Sequence, residues 1–243
     1  MVVTGGGRNL GREYCLAFGR AGARVVVADI RDTDETVAGV RALGAPAIGV
    51  HTDVSDETSA AELVAAAVAE FGGVDVLVNN AALYGDLLRA PLAELPRDAF
   101  DQAMAVNVTG TFLCMKAAWP VLRRQGGGSI INISSGTFWT GMGSAHYIAS
   151  KAAVIGLTRA AAREGGPLNI RCNAVTPGFT MSQASIDVMG ANTQLADGIV
   201  AATPLGRRQQ PADLVGTVLF LASDASAFIT GQTLNVDGGW HMH

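Results

Sequence analysis

Hydrophobic residues along this chain fall into short unbroken runs separated by longer amphipathic stretches. The runs cover residues 1–3, 25–28, 47–50, 74–78, 129–133, 170–175 and 233–236. Unbroken apolar runs of this length, rather than alternating ones, suit strands covered on both faces. Between them the spacing predicts helices over 10–21, 32–42, 55–71, 96–125, 145–164 and 211–223. Gly22 and Gly44 stand just past the ends of two helices, and Ser55 and Pro211 stand at the starts of two others. Strand–helix alternation of this kind implies parallel strands joined by right-handed crossovers. The expected fold class is therefore α/β: a doubly wound parallel sheet of about seven strands, with helices on both faces in three layers. The least regular stretch is 180–208. It is long for a connection, which predicts a lid over a site or a partly helical segment.

Composition narrows the class. The chain has 243 residues, of which 49% are hydrophobic and 16% charged, as in a globular chain with a large core. A single domain over 1–243 is expected at this length. The net charge of -4 is scattered and forms no basic stripe, so nucleic acid is not an expected partner. No apolar run is long enough to span a membrane, and no secretory leader is expected. Cys15, Cys114 and Cys172 are far apart in sequence, and His51, His146, His241 and His243 are scattered, so no metal is expected. Three buried thiols suit a reducing compartment, and a cytoplasmic location is expected.

The chemistry begins where the first strand runs into Thr4-Gly5-Gly6-Gly7-Arg8-Asn9-Leu10-Gly11. Glycines here permit a tight strand-to-helix turn and close approach of backbone to a pyrophosphate. The helix N-terminus behind them offers free N–H groups and partial positive charge. Asp29 ends the second strand, eighteen residues after Gly11. A carboxylate at that place can accept hydrogen bonds from both adenosine ribose hydroxyls. It would also repel a 2′-phosphate: like charges about 4 Å apart at an effective dielectric of about 20 cost roughly 4 kcal/mol. Arg8 pulls the other way, but an arginine beside a diphosphate already has a partner. A Rossmann fold binding NAD, rather than NADP, is the expectation.

Further along, Asp53-Val54, Asn79-Asn80-Ala81-Ala82, Asn107, Ile133-Ser134-Ser135, Tyr147-x-x-x-Lys151 and Pro177-Gly178 follow in order. With the glycine-rich loop, this series resembles the short-chain dehydrogenase/reductase family over essentially the whole chain. The resemblance implies cofactor contacts from Gly5, Arg8, Asn9, Leu10 and Gly11, from Asp29 and Ile30, and from Asp53 and Val54 at the adenine. It implies further contacts from Asn80, Ala81 and Ala82, from Tyr147 and Lys151, and from Pro177, Gly178, Thr180 and Ser182 around the carboxamide. Two positions depart from the family pattern, which has glycine at both Asn9 and Ala82. Asparagine tolerates left-handed backbone better than other non-glycine residues. The methyl of Ala82 tightens the floor near the nicotinamide ribose.

Tyr147 and Lys151 are four apart in a helical segment and so share one face. A cationic lysine near a phenol favours the phenolate and lowers its pKa. The tyrosine can then exchange a proton with a substrate oxygen while hydride moves to or from the nicotinamide. A serine should hold that oxygen. The strand register points to Ser135, whereas the family's usual thirteen-residue interval back from Tyr147 points to Ser134. Ser135 is favoured, because loops absorb deletions and strands lose register. By resemblance, Asn107 distorts its helix and holds a water linking Lys151 to solvent. His146, next to Tyr147, points elsewhere on the helix and is expected in lid packing or exposed.

The loops after Asn80 and Ser135 and the 180–208 stretch contribute Tyr84, Phe138, Trp139, Met142, Met181 and Met189 to an expected apolar substrate pocket. Phe138-Trp139 and the C-terminal segment are similar to the secondary-alcohol branch of the family, which includes 1-phenylethanol dehydrogenases. The resemblance implies an aryl or bulky alkyl ketone or secondary alcohol as substrate and a homotetramer. An NADP-dependent 3-oxoacyl reductase and a catalytically silent nucleotide-binding protein are the alternatives.

Overall fold

The computed structural model describes residues 1–190 and 194–242. His243 and part of the expected lid, 191–193, lie outside the described residues. The chain runs β1 (Val2–Thr4), α1 (Asn9–Arg20), β2 (Val25–Asp29), α2 (Asp34–Ala42), β3 (Ala47–His51), α3 (Glu57–Phe71) and β4 (Val76–Asn79). It continues through α4 (Arg97–Met104), α5 (Gly110–Arg124), β5 (Gly128–Ile133), α6 (Thr137–Thr140), α7 (Ala145–Gly165) and β6 (Ile170–Pro177). It ends with α8 (Gln183–Met189), α9 (Gln194–Ala202), α10 (Ala212–Ala222) and β7 (Thr233–Val236).

The strands form one parallel sheet in the order β3-β2-β1-β4-β5-β6-β7. This is the doubly wound Rossmann arrangement expected from the alternation of elements. Side chains alternate between faces, so neighbouring residues of one strand serve two cores. Val2, Leu77, Ile130 and Cys172 pack with Leu63 of α3, Leu113 of α5 and Ala161 of α7. Val3, Val78, Ile131 and Val175 pack with Tyr14 and Phe18 of α1, Val40 of α2 and Leu214 of α10. Each fully buried leucine or isoleucine contributes roughly 2 kcal/mol through area removed from water.

The connection reverses direction between β1 and β4, which places a crevice beyond the carboxyl ends of those strands. The glycine-rich loop follows β1, and the loop carrying Tyr84 and Arg89 follows β4.

The helix expected over 96–125 is interrupted. Between α4 and α5 the chain takes a π-helical turn at Ala105–Thr109. Asn107 lies in that turn and is buried. Gly110 follows, where an added Cβ would lie 2.6 Å from Val54 Cγ2. This is the helix distortion at Asn107 that the resemblance implies; the apolar pattern by itself runs through it without a break. The irregular 180–208 stretch contains two helices, α8 and α9. The short α6 was not foreseen. Among the described residues no helix is long and apolar enough to cross a membrane.

Candidate active site

The loop after β1 has the backbone its sequence requires. Gly5 has φ +63°, and a Cβ there would lie 2.9 Å from Ala81 Cα. A Cβ on Gly11 would run into the Gly5 carbonyl oxygen. Asn9, standing where the resemblance had glycine, takes φ +50°, in the left-handed region. Thr4 stitches this loop to β4: its Oγ1 accepts from the backbone N–H groups of Asn80 and Ala81, both at 3.1 Å. Asn80 Nδ2 donates to the carbonyls of Thr4 at 3.0 Å and Gly5 at 3.1 Å.

Asp29 closes the other side. Its Oδ2 accepts from Gly7 N at 3.0 Å and its Oδ1 from Arg31 N at 3.0 Å. The carboxylate is thus held in one orientation at the carboxyl end of β2. Arg31 Nη2 lies 3.1 Å from Asp86 Oδ2, with Arg8 Nη2 4.0 Å from the same oxygen. Asp53 Oδ1 accepts from Ser55 N at 2.9 Å and Ser55 Oγ at 2.6 Å.

These groups line a cleft of about 730 Å³. Of the residues anticipated for a cofactor, Gly5, Arg8, Asn9, Leu10, Asp29, Ile30, Asp53, Val54, Asn80, Ala81 and Ala82 border it. So do Pro177, Gly178, Thr180 and Ser182 on its far wall. Gly11 lies beneath the loop, packed against Gly5. The glycine contacts leave room for backbone approach and the cleft spans both walls, so the residues present fit a dinucleotide.

Ser135, Tyr147 and Lys151 line the same cleft. Tyr147 and Lys151 come from α7, and β5 delivers the serines. Lys151 is buried, and its Nζ donates to the Ile133 carbonyl at 2.8 Å. Nζ stands 5.7 Å from the centroid of the Tyr147 ring. Burial pushes the Lys151 pKa down to about 8. Burial also raises the Tyr147 phenol well above its ordinary value, and Tyr84 adds to this. A hydrogen bond with Ser135 and the charge of Arg89 pull the phenol downward. The lowering expected from Lys151 is not among the influences on the phenol: only Ser135 and Arg89 pull it down, and burial dominates.

The two serines separate. Ser134 Oγ donates to the Lys151 carbonyl at 2.7 Å, inside the α7–β5 packing. Ser135 Oγ instead meets Thr137 Oγ1 at 3.0 Å and the Tyr147 phenol. Asn107 lies behind the cleft wall. Its Oδ1 accepts from Leu83 N at 2.7 Å, and its Nδ2 donates to Ser150 Oγ at 3.0 Å and Leu83 O at 3.3 Å. Its amide thus ties the loop after β4 to α7 one residue before Lys151. His146 is fully buried, which excludes the exposed alternative, and neither ring nitrogen has a hydrogen-bond partner.

Of the residues anticipated for substrate, Tyr84 and Met142 border the cleft. Phe138 and Trp139 instead pack on each other in α6, ring centroids 4.6 Å apart, and neither borders it. Met181 and Met189 are also absent from its walls. Val188, Leu195 and Ile199 line the lid side instead, and Trp240 joins them. Thr4, Arg31, Asp86 and Arg89 escaped the sequence reading. Thr4 opens the glycine motif and could have been weighed; the others gain meaning only from inter-element contacts.

The chain belongs to the short-chain dehydrogenase/reductase family. The family model described as enoyl-(acyl carrier protein) reductase matches residues 5–241. An uncharacterized oxidoreductase of Mycobacterium tuberculosis is 43% identical over 240 residues, covering 98% of this chain and 95% of the relative. A 3-oxoacyl-[acyl-carrier-protein] reductase of Staphylococcus aureus is 38% identical over 245 residues, covering 99% of this chain and 97% of the relative. Among solved structures, levodione reductase superposes with TM-score 0.93 at 28% identity, covering 98% of this chain and 95% of that one. A short-chain type dehydrogenase/reductase from Mycobacterium ulcerans gives TM-score 0.92 at 31% identity, covering 98% and 88%. The protein is accordingly a family oxidoreductase of the kind that uses a nicotinamide dinucleotide.

Proposed function

We propose that this oxidoreductase interconverts secondary alcohols and ketones with NAD(H) as its cofactor. The observation that carries the reading is the shared wall of one cleft, with Asp29 at its adenosine end and Ser135, Tyr147 and Lys151 at its other. Asp29, held by Gly7 and Arg31, would accept the ribose hydroxyls. The glycine-rich loop would hold the diphosphate, Asp53 and Val54 the adenine, and the 177–182 segment the carboxamide. When bound, the nicotinamide supplies or accepts the hydride.

Ser135 Oγ holds the substrate oxygen by hydrogen bonding. In oxidation Tyr147 takes the hydroxyl proton; in reduction it returns a proton to that oxygen. Lys151 offsets the charge that develops on the phenol. Tyr84, Met142, Val188 and Leu195 give the substrate end an apolar lining, which suits aryl or bulky alkyl substituents. Homotetramer formation fits the exposed Phe112 of α5 and Phe228 before β7. Three unpaired, buried cysteines suit a cytoplasmic setting.

Incubation of the pure protein with NAD+ and a panel of racemic secondary alcohols tests the proposal. Reduction of NAD+ on aryl or bulky alkyl alcohols supports it. Activity confined to sugars, steroids or acyl-carrier thioesters rejects the substrate class.

A second reading is an NADP(H)-dependent 3-oxoacyl reductase. It draws on Arg8 and Arg31, both on the cleft wall, and on the activity printed for the Staphylococcus aureus relative. Preference for NADPH with 3-oxoacyl thioesters would select it.

A further inference from the structure

Four side chains stand in a row across the substrate end of the cleft. Arg89 Cζ lies over the Tyr84 ring, 5.7 Å from its centroid. The Tyr84 and Tyr147 rings follow, with centroids 5.3 Å apart and planes inclined at 52°. Lys151 Nζ closes the row at 5.7 Å from the Tyr147 centroid. Two tyrosine rings are thus bracketed by a cation at each end. Lys151 and Tyr147 belong to α7, whereas Tyr84 and Arg89 belong to the loop after β4.

That loop is tied down at both ends of the pair. Asn107 holds the backbone of Leu83 at its N–H and its carbonyl. Arg89 folds back on its own segment: Nη2 donates to Tyr84 O at 3.0 Å and Nη1 to Leu87 O at 3.2 Å. A planar guanidinium can make these bonds and still lie over an aromatic face, which an ammonium does less well. With the Gly85 carbonyl, 3.5 Å from Nη1, all three partners are neutral carbonyls, and no ion pair of Arg89 is present among the described residues. Arg89 is exposed, and its charge reaches both Tyr147 and His146.

We propose that Tyr84 and Arg89 are positioning residues for Tyr147. Tyr84 fixes the plane of the Tyr147 ring, and Arg89 fixes Tyr84 while placing a second positive charge across the phenol from Lys151. The assignment rests on reading Tyr147 as the proton carrier. The polar groups facing that phenol are Tyr84 and Arg89 from the loop, Ser135 from the end of β5 and Lys151 from α7; His146, its chain neighbour, is buried. Of these, Arg89 pulls the phenol toward ionisation, while Tyr84 and burial oppose it.

Two measurements test this. The first needs no turnover: urea denaturation of Y84A, Y147A and the double variant. Ring-on-ring contact requires the double variant to lose less than the sum of the singles; additive losses overturn the proposal. The second is the pH dependence of alcohol oxidation by R89Q and R89K. At low salt R89Q should displace the rising limb of kcat by roughly half a pH unit, a loss of about threefold at each pH. Its KM for the alcohol should change less than its kcat. Added salt should shrink the difference from the parent, and R89K should recover part of the lost rate. An R89Q profile superimposable on the parent's, or a loss confined to KM, overturns the proposal. If no alcohol or ketone is turned over by the parent, the function above fails while the denaturation cycle still decides the ring contact.

Discussion

Lys151 Nζ donates to the Ile133 carbonyl at 2.8 Å, so α7 is fastened to the end of β5 through its own lysine. The fastening encloses an ammonium, and burial pushes its pKa from 10.5 down to about 8. Between those values the unfolded chain binds more protons than the folded one, so this group makes stability rise with pH. Below about pH 8 both states carry the charge, and the folded state bears its full desolvation cost. A Lys151→Met variant has no such dependence. Between pH 8 and pH 10.5 the parent should therefore gain about 3 kcal/mol relative to the variant. Urea denaturation of both proteins across that range measures the gap; a gap independent of pH excludes the buried ammonium.

Tyr147 carries the complementary expectation. Burial raises the phenol above its ordinary range, so the proton-bearing form prevails at neutral pH. Alcohol oxidation needs the deprotonated form and should quicken as pH rises toward 8; above about pH 8 Lys151 loses the charge that offsets the phenolate, and the rise should slow. Replacement by phenylalanine should lower kcat by about 10²–10⁴-fold, the usual contribution of a positioned proton carrier. NADH binding, followed by fluorescence, should be retained. Wild-type turnover in the phenylalanine variant would remove Tyr147 from the chemistry.

The serines offer a sharper comparison because they are adjacent and differ only in partners. Ser134 Oγ is committed to the Lys151 carbonyl, while Ser135 Oγ meets the Tyr147 phenol. Ser135→Ala should cost about 10²–10³-fold in kcat, as loss of an oxyanion-type donor does. Ser134→Ala should cost about 1 kcal/mol of stability instead, with turnover changed far less. Turnover falling more in Ser134→Ala than in Ser135→Ala would reverse the assignment.

The difference between those serines could not be read from spacing alone, since the interval to Tyr147 and the strand register disagreed. Features with a local period were legible. The sheet followed from unbroken apolar runs, the pairing of Tyr147 with Lys151 from one helical turn, and the left-handed Asn9 from its place in the glycine loop. Features made by contact between distant segments were not. The resemblance announces the distortion at Asn107, but no periodicity shows its bonds to Leu83 and Ser150. The Arg89–Tyr84–Tyr147 row depends on a loop folding back against α7. Phe138 and Trp139 look like pocket residues by composition. The short α6 turns their rings toward each other, which no periodicity announces.

The proposed preference for NAD(H) rests on Asp29. Both of its oxygens are occupied by backbone N–H groups, of Gly7 and Arg31, so it cannot swing away from a 2′-phosphate. The nearest cations on that wall, Arg8 and Arg31, already face Asp86. The parent should therefore favour NAD+ over NADP+ in kcat/KM. Asp29→Asn removes the repelling charge but keeps one acceptor for the turn. The NAD+ to NADP+ ratio should then narrow by about 10–100-fold, less than the roughly 4 kcal/mol of unscreened repulsion, because solvent reaches the cleft. Steady-state kinetics with both cofactors on parent and variant measure it. A parent that prefers NADP+, or a ratio unmoved by the substitution, would assign the choice to the two arginines instead.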